Sequence, residues 1–280
     1  MSVRAVHTVK ELRNALEAAT NIGLVPTMGA LHAGHEKLIE TARRECGTVV
    51  VSIFVNPTQF GPGEDYSRYP RTLEQDLSAC ERLGADLVFS PSVEEMYPEP
   101  QLAFIDVARV SEHLCGRFRP GHFRGVATVV LKLLNIVQPQ QAYFGEKDMQ
   151  QLAVIRRMVT DLNLPVRIIG VATVREGDGL ALSSRNKYLN DGERKAAPAL
   201  YKSLREAAAR IQEGETDAAA VRLAAMGILQ QEPLIRVEYF EIVDPKDLQP
   251  VAAIRNPVRI AAAIWIGKTR LIDNIAVNDF

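Results

Sequence analysis

Residues 22–55 read IGLVPTMGALHAGHEKLIETARRECGTVVVSIFV, and this stretch is the clearest indicator of the fold. The short apolar run 22–26 predicts a strand. The β-branched run 48–55 predicts a second strand, of the kind that parallel sheets bury on both faces. Between the two runs, Leu38 and Ile39 belong to an apolar stripe at helical spacing. The order strand, loop, helix, strand predicts a parallel β-α-β unit.

The same alternation of strand and helix extends on both sides of this stretch, up to about residue 174. Thr8 and Glu11 match a capping box and predict a helix start near the N-terminus. Further helices are predicted at 72–84, 126–137 and 149–162, and further strands at 85–91, 141–145 and 166–174. Regular alternation of this kind is typical of an α/β fold with a doubly wound parallel sheet. We therefore expect a first domain over residues 1–174.

The pattern changes in the last third of the chain. Two Ala-rich helices are predicted at 191–213 and 217–231, and three strands without intervening helices at 235–244, 258–267 and 270–277. Consecutive strands after consecutive helices are typical of an α+β arrangement. We expect residues 175–280 to form a second, smaller α+β domain.

The composition excludes several classes of protein. Of 280 residues, 47% are hydrophobic and 24% are charged, which is ordinary for a globular chain. Lys and Arg number 33 and Asp and Glu 34, and this balance disfavours nucleic acid or a membrane surface as the main partner. The 3 Cys lie in separate segments, so they form no zinc or disulfide motif. With no apolar signal segment near the N-terminus, we expect a cytoplasmic protein.

The loop at 27–35, TMGALHAGH, is the first candidate for chemistry. It follows a predicted strand and precedes a helix, whose N-terminal N–H groups attract anions. Imidazoles at His32 and His35 would share positive charge with an oxyanion there. The plainer interpretation is a glycine turn with two surface histidines, and the His-x-Gly-His spacing at a strand-to-helix junction favours the phosphate site. No Walker motif and no G-x-G-x-x-G motif is present.

Four further polar loops are candidates. The loop in 54–71 carries neutral polar groups that could orient a small ligand, although they could equally satisfy their own turns. The basic run 116–125 is a solvated loop or an anion contact. In 143–151, a Lys and an Asp follow a strand and suit a nucleotide, or simply start a helix. In 175–189, two Ser and an Arg suit phosphate oxygens, or form a polar interdomain loop.

With these five segments in this order, the chain resembles the pantothenate synthetase (pantoate–β-alanine ligase) family over essentially its whole length. The motifs that carry the resemblance are PTMGALHAGH, NPTQFGPGEDYSRYPRTLEQD, RPGHFRGV, FGEKDMQQ and DGLALSSRN. The His-x-Gly-His element is also similar to the HIGH motif of class I aminoacyl-tRNA synthetases and related nucleotidyltransferases. The resemblance implies a Rossmann-like first domain and a homodimer.

The resemblance also implies a two-step reaction. ATP and (R)-pantoate would form pantoyl adenylate and pyrophosphate with the help of Mg²⁺, and the amine of β-alanine would then attack to give pantothenate and AMP. A pantoate carboxylate is ionised at neutral pH, so the first step needs alignment and charge neutralisation rather than a general base. Whether His35 would donate a proton or only stabilise charge stays open.

The site residues that the resemblance implies fall into three sets. The catalytic set is His32, His35, Lys147 and Arg185. The ATP contacts are Met28, Gly29, Ala30, Leu31, His32, Ala33, Gly34, His35, Gly145, Glu146, Lys147, Asp148, Val174, Leu182, Ser183, Ser184 and Arg185. The pantoate contacts are Gln59, Gln151, Asn56, Tyr69 and Arg119, with Gln59 also at the β-alanine site. No residue is assigned as a direct metal ligand, and Mg²⁺ would accompany the phosphates of ATP.

Two other functions compete with a ligase. A nucleotidyltransferase of the same superfamily would leave AMP joined to a phosphorylated metabolite as its final product. A regulator that kept the fold without the reaction would bind ATP and release no pyrophosphate. The two glutamines beside the phosphate-binding residues favour the ligase. A role in charging tRNA is disfavoured because the chain has no anticodon-sized domain and no excess of basic residues.

Overall fold

The computed structural model describes residues 3–255 and 257–278. The chain divides into two compact units. Unit 1 consists of Met1–Ala108, Arg119–Glu146 and Val154–Ala172. Unit 2 consists of Arg109–Phe118, Lys147–Ala153 and Thr173–Phe280. Two short segments from the middle of the sequence therefore belong to the same unit as the C-terminal third.

Unit 1 contains a six-stranded parallel sheet. Its strands are β1 (Arg4–Val6), β2 (Ile22–Thr27), β3 (Thr48–Ile53), β4 (Leu87–Phe89), β5 (Gln141–Gly145) and β6 (Arg167–Val171), in the spatial order β1-β4-β3-β2-β5-β6. Every pairing between them is parallel. This confirms the doubly wound α/β prediction. Strand β1 was not predicted, because three residues are too few to show an alternating pattern.

The helices from the first part of the chain alternate with these strands. They are α1 (Val9–Leu16), α2 (Ala33–Glu45), α3 (Leu73–Arg82), α4 (Val93–Met96), α5 (Cys115–Phe118), α6 (His122–Val137) and α7 (Met149–Asp161). The capping box predicted at Thr8 and Glu11 is present at the start of α1. The central strands are largely buried, and residues such as Val25, Val49 and Val51 form one apolar cluster with Ile39 of α2.

The strand order identifies where a ligand of this sheet is expected to bind. β2 lies between β3 and β5, with Leu24 aligned to Val50 on one side and to Ala142 on the other. The chain runs from β2 to β3 in one direction, whereas β5 and β6 lie in the other, so the order reverses at β2. Ligands of open parallel sheets bind outside the carboxyl ends of the strands at such a reversal. The 27–35 loop begins at that end of β2.

Unit 2 contains a three-stranded antiparallel sheet. Its strands are β7 (Ile235–Val243), β8 (Val258–Ile266) and β9 (Thr269–Val277), and its later helices are α8 (Asp191–Ala196), α9 (Ala199–Gln212) and α10 (Ala218–Gln230). The prediction of one helix over 191–213 was wrong. The helix is interrupted at Pro198, because proline has no N–H to donate and its ring clashes with the preceding turn. The predicted α+β pattern is confirmed.

No helix among the described residues is both long enough and apolar enough to cross a membrane.

Candidate active site

The loop after β2 is held by a buried carboxylate from α3. Gly29 and Ala30 both have positive φ, at 80° and 52°. In this conformation the N–H groups of Ala30 and Leu31 point to the two oxygens of Asp76, at 3.0 and 2.8 Å. Asp76 is only 2% exposed, so its charge is directed at these two donors rather than at water. A left-handed alanine is costly, and the two charge-assisted hydrogen bonds offset that cost.

His32 caps α2, and His35 lies in its first turn. The Nδ1 atom of His32 accepts a hydrogen bond of 3.1 Å from the N–H of Gly34. Nδ1 must be unprotonated to accept, so the proton of a neutral His32 is on Nε2. The rings of His32 and His35 lie with their centroids 4.2 Å apart. The predicted pair of imidazoles at a helix N-terminus is therefore present.

The loop after β3 brings a buried glutamine to the loop after β2. The side-chain amide of Gln59 donates to the sulfur of Met28 at 3.0 Å. Asn56 in turn donates to Gln59 Oε1 at 3.1 Å and to the carbonyl of Gly125 at 3.3 Å. The side-chain oxygen of Asn56, Oδ1, accepts from the hydroxyl of Tyr97 at 2.8 Å. Asn56 thus fixes the orientation of the Gln59 side chain.

The basic run 116–125 is divided in the structure. Arg119 pairs with Glu64 through two hydrogen bonds of 2.8 and 2.6 Å, and its third nitrogen lies 3.0 Å from His122 Nε2. His122 Nδ1 donates to the carbonyl oxygen of Gln59 at 2.8 Å. A chain of contacts therefore runs from Glu64 to the Gln59 backbone. In contrast, Arg124 lies over the ring of Phe104 at 4.0 Å and is half-exposed.

Tyr69 is buried in the same unit, and its ring packs against Phe60 with centroids 6.0 Å apart. Gly145 ends β5 and Glu146 begins a single 3₁₀ turn, Glu146–Asp148, that leads into α7. Gly145 and Glu146 therefore follow the strand that neighbours β2.

In unit 2, the Lys147 backbone is anchored to β9. The carbonyl oxygen of Lys147 accepts a hydrogen bond of 3.0 Å from the side-chain amide of Asn274. The ammonium group of Lys147 lies 3.7 Å from the carboxylate of Asp148. Gln151, one of the two predicted glutamines, is half-buried. Its neighbour Gln150 is buried and is used for structure, since it bonds to the backbone of 110–115.

The second candidate phosphate-binding segment of unit 2, residues 174–185, is a loop that is closed by backbone hydrogen bonds. Leu182 donates its N–H to the carbonyl of Val174 at 3.0 Å, which closes the loop. Ser183 then caps a 3₁₀ turn, Ser184–Tyr188, by accepting a hydrogen bond of 3.3 Å from the N–H of Arg185. Val174 and 182–185, predicted as separate contacts, are thus brought together.

Several residues that shape these loops were missed by the sequence analysis. Asp76 had a recognisable signal, because it falls among the inward-facing apolar residues of α3, where a carboxylate needs a partner. The sequence contains no such signal for Glu64, Arg175 or Asn274. Their partners are 55, 98 and 127 positions away along the chain.

Comparison with known proteins identifies one family. A family model described as pantoate-beta-alanine ligase matches residues 3–276. The pantothenate synthetase of Fervidobacterium nodosum is 52% identical over 280 residues, which cover 99% of this chain and 100% of the relative.

Solved structures agree with this result. A pantothenate synthetase from Thermus thermophilus is similar with a TM-score of 0.96 and 51% identity, over 99% of this chain and 100% of that one. A pantoate-beta-alanine ligase from Francisella tularensis, solved in complex with beta-gamma ATP and beta-alanine, is similar with a TM-score of 0.80 and 36% identity, over 98% of both chains.

Proposed function

The chain belongs to the pantoate–β-alanine ligase family, and from this membership we propose how its residues carry out the reaction. The enzyme condenses (R)-pantoate with β-alanine through a pantoyl-adenylate intermediate. In the first step a carboxylate oxygen of pantoate attacks the α-phosphorus of ATP, and pyrophosphate leaves. In the second step the amine of β-alanine attacks the acyl carbon, and AMP leaves as pantothenate forms.

The observation that carries the assignment is the contact between Gln59 and Met28. Gln59 is one of the two glutamines proposed for pantoate, and Met28 lies in the loop proposed for ATP. Their side chains meet at 3.0 Å within unit 1. A neutral amide can orient a hydroxy acid without adding charge, so the pantoate carboxylate keeps its nucleophilicity. We propose that Gln59 also contacts β-alanine, because the β-alanine amine must approach the pantoyl acyl carbon, close to the group that Gln59 orients.

The loop at 28–35 supplies the electrostatic part of catalysis. The N-terminus of α2 carries partial positive charge, and a neutral His32 holds its proton on Nε2, from which it can donate to a phosphate oxygen. We propose that His32 and His35 stabilise the negative charge that develops on the phosphates as pyrophosphate leaves. Loss of one such preorganised donor typically costs about 3–4 kcal/mol in the barrier, roughly 10²–10³ in rate.

The remaining proposed ATP contacts lie in the segments 143–151 and 174–185. Lys147 and Arg185 would neutralise phosphate oxygens, and the hydroxyls of Ser183 and Ser184 would donate to them. The other proposed contacts are backbone groups or turn residues: Gly145, Glu146, Asp148, Val174 and Leu182.

Mg²⁺ is proposed to accompany ATP rather than to occupy a protein site. Within residues 3–255 and 257–278, no three His, Cys, Asp or Glu side chains are grouped as a metal site. Mg²⁺ commonly binds through substrate phosphates and retains several waters, which requires no such group. No residue of this chain is therefore assigned to the ion.

Among the proposed pantoate contacts, the structure favours different roles. Gln59 and Gln151 offer side-chain amides, and Tyr69 offers a phenol. Asn56 is 1% exposed and bonded to protein groups, so we propose that it acts by orienting Gln59. The Arg119 guanidinium is paired with Glu64, and a direct pantoate contact would use its remaining donor capacity.

We further propose that the enzyme acts in the cytoplasm as a homodimer, and that residues 1–174 and 175–280 act as its two functional domains. Three free, buried cysteines fit a reducing compartment. Light scattering would test the assembly: a mass near twice 30.9 kDa is expected, and a mass of one chain would contradict it.

The function is tested by isotope exchange between labelled pyrophosphate and ATP. Exchange that requires pantoate is expected, because the adenylate forms reversibly before β-alanine enters. Exchange that is equal without pantoate, or with unrelated acids, would remove the substrate assignment. Mass spectrometry of the products separates the rival nucleotidyltransferase, which would leave AMP attached to its substrate instead of releasing it.

A further inference from the structure

Two adjacent residues of β9 contact both phosphate-binding candidates of unit 2. The first is Asp273, which is 3% exposed. Its carboxylate bonds to Arg175 through two contacts of 2.5 and 3.0 Å. Arg175 also donates to the carbonyl of Gly179 at 3.1 Å and lies over the ring of Tyr201 at 3.7 Å. Arg175 pairs with Ala181 across the base of the loop that leads to Arg185.

The second residue is Asn274. Its amide nitrogen donates to the carbonyl of Lys147 at 3.0 Å, and its oxygen accepts from Arg259 at 2.7 Å. The backbone N–H of Asn274 also donates to Asp273 Oδ1 at 2.8 Å, which fixes the Asp273 carboxylate against the Asn274 backbone. Burial raises the pKa of the Asp273 carboxyl, while the positive charges of Arg175 and Lys147 act to lower it. Asp273 is therefore electrostatically linked to both loops.

We propose that Asp273 and Asn274 are positioning residues that hold the Lys147 turn and the 175–185 loop on one rigid strand. The proposal rests on the assignment of Lys147 and 182–185 to ATP phosphates. Neither residue is assigned to touch ATP. Their effect comes from fixing two separate groups of phosphate donors in advance, so that binding ATP does not have to order them. β9 is paired with β8 along its whole length, so the side chains that reach the two loops start from a rigid backbone.

The test exploits the two ends of the Asn274 side chain. Asn274→Asp keeps an oxygen for Arg259 and replaces the donor to Lys147 with a second oxygen, and it also adds a negative charge next to Asp273. Asn274→Ala removes both contacts and adds no charge. Asp273→Asn removes the charge that holds Arg175. Glu238→Gln is the matched control, because Glu238 forms a comparably buried ion pair with Arg270 of the same strand, and its other hydrogen bond runs to Trp265 of β8.

Binding of a non-hydrolysable ATP analogue is measured by calorimetry, alongside KM for ATP, kcat and thermal unfolding. Asn274→Asp should weaken binding about three- to tenfold, the effect expected of one lost hydrogen bond, and raise KM more than it lowers kcat. Asp273→Asn should weaken binding about tenfold or more, since a charged contact is lost. Glu238→Gln should lower the unfolding temperature and leave the affinity unchanged.

The proposal is overturned if Asn274→Asp binds the analogue as the wild type does, whether or not Asn274→Ala is impaired. It is also overturned if Glu238→Gln weakens binding as much as Asp273→Asn, because general loss of stability would then explain both. If Asn274→Asp does not fold, amide hydrogen exchange is measured in Asn274→Ala instead. The proposal requires faster exchange near Lys147 than in the wild type, and unchanged exchange there overturns it. Failure of the proposed function would give a different result. The wild type would bind the ATP analogue but show no pantoate-dependent exchange between pyrophosphate and ATP.

Discussion

Removal of the Asp76 carboxylate should disable the 27–35 loop, which we propose binds ATP and call the ATP loop, while the fold persists. Asp76→Ala leaves the N–H groups of Ala30 and Leu31 without their acceptor, at a cost of about 1–3 kcal/mol each if they stay buried. The loop can lower this cost by opening to water, and it then loses the positive φ that Ala30 now adopts. We expect a net loss of stability of about 2–4 kcal/mol, below the total of about 5–15 kcal/mol typical of a folded protein.

The same substitution should also weaken the binding of ATP. In the variant, the loop must first return to the conformation that Asp76 stabilises in the wild type before ATP can bind at the N-terminus of α2. Each 1.4 kcal/mol of free energy that this return requires weakens the affinity for ATP about tenfold. We therefore expect KM for ATP to rise at least about tenfold in Asp76→Ala. The KM for ATP of Asp76→Asn should lie between those of the wild type and Asp76→Ala. The amide that replaces the carboxylate can accept from only one of the two N–H groups and faces the other with its own N–H donor.

Asp86→Asn provides the control for this experiment. Asp86 also accepts a backbone N–H, from Val49 at 2.7 Å, and pairs with Arg43. It precedes β4, so it lies at the amino end of the strands, opposite to the ATP loop. Asp86→Asn should lower the unfolding temperature and leave KM for ATP unchanged. A wild-type KM for ATP in Asp76→Ala, or an equal rise in both variants, would show that ATP binding does not depend on this carboxylate.

Three further predictions concern catalysis, packing and pH. His35→Ala and Lys147→Ala should each reduce kcat about 10²–10³-fold with an unchanged circular dichroism spectrum, because each removes a group proposed to stabilise the negative charge on the departing pyrophosphate. Gly125→Ala should destabilise the protein by about 1–3 kcal/mol or more in urea unfolding, since its methyl group would overlap the carbonyl oxygen of Thr58 in the loop after β3. Burial opposes ionisation of Glu64, but the hydrogen bonds and charge of Arg119 outweigh it and set the pKa of that carboxyl below its usual 4.5. The stability that this pair adds should be present above about pH 4.5 and be lost as the pH falls through the lower, folded-state pKa, so Glu64→Gln should approach the wild type in acid.

Each of these has a result that would contradict it. Wild-type turnover in both His35→Ala and Lys147→Ala would show that the site is misassigned. An unchanged urea midpoint for Gly125→Ala would mean that α6 and the loop can separate without cost. A Glu64→Gln stability difference that grows as the pH falls would reverse the sign expected of a carboxyl whose pKa is lowered on folding.

Much of the fold could be predicted from local patterns. The buried β-branched runs, the capping box at Thr8 and the alternation of strands with amphipathic helices depend on neighbours within a few residues, and each was found where expected. The helix break at Pro198 was equally local and was overlooked, although proline within a helical pattern indicates a boundary.

The sequence analysis identified the loops of the candidate site but missed the residues that hold those loops in place. The motif at 27–35, Gln59, Lys147 and the Ser-Ser-Arg segment stand out because their residue types are unusual after a strand. In the 27–35 motif, the glycines predict a tight turn and the histidines predict contact with an anion. Residue types and their spacing were therefore sufficient to predict the class of fold, and the motifs carried the resemblance to the family, while the groups assigned to phosphates stay a prediction.

The supports that hold those groups in place became visible only in the folded chain. Asp76 reaches the 27–35 loop from another helix, and Asn274 reaches Lys147 from the last strand, 127 residues later. The position of Asp76 among the apolar residues of α3 indicates that it needs a partner but not which one, and the sequence contains no such signal for Asn274. A hydrogen bond acts over about 3 Å, and which distant residues come that close is set by the packing of the whole chain.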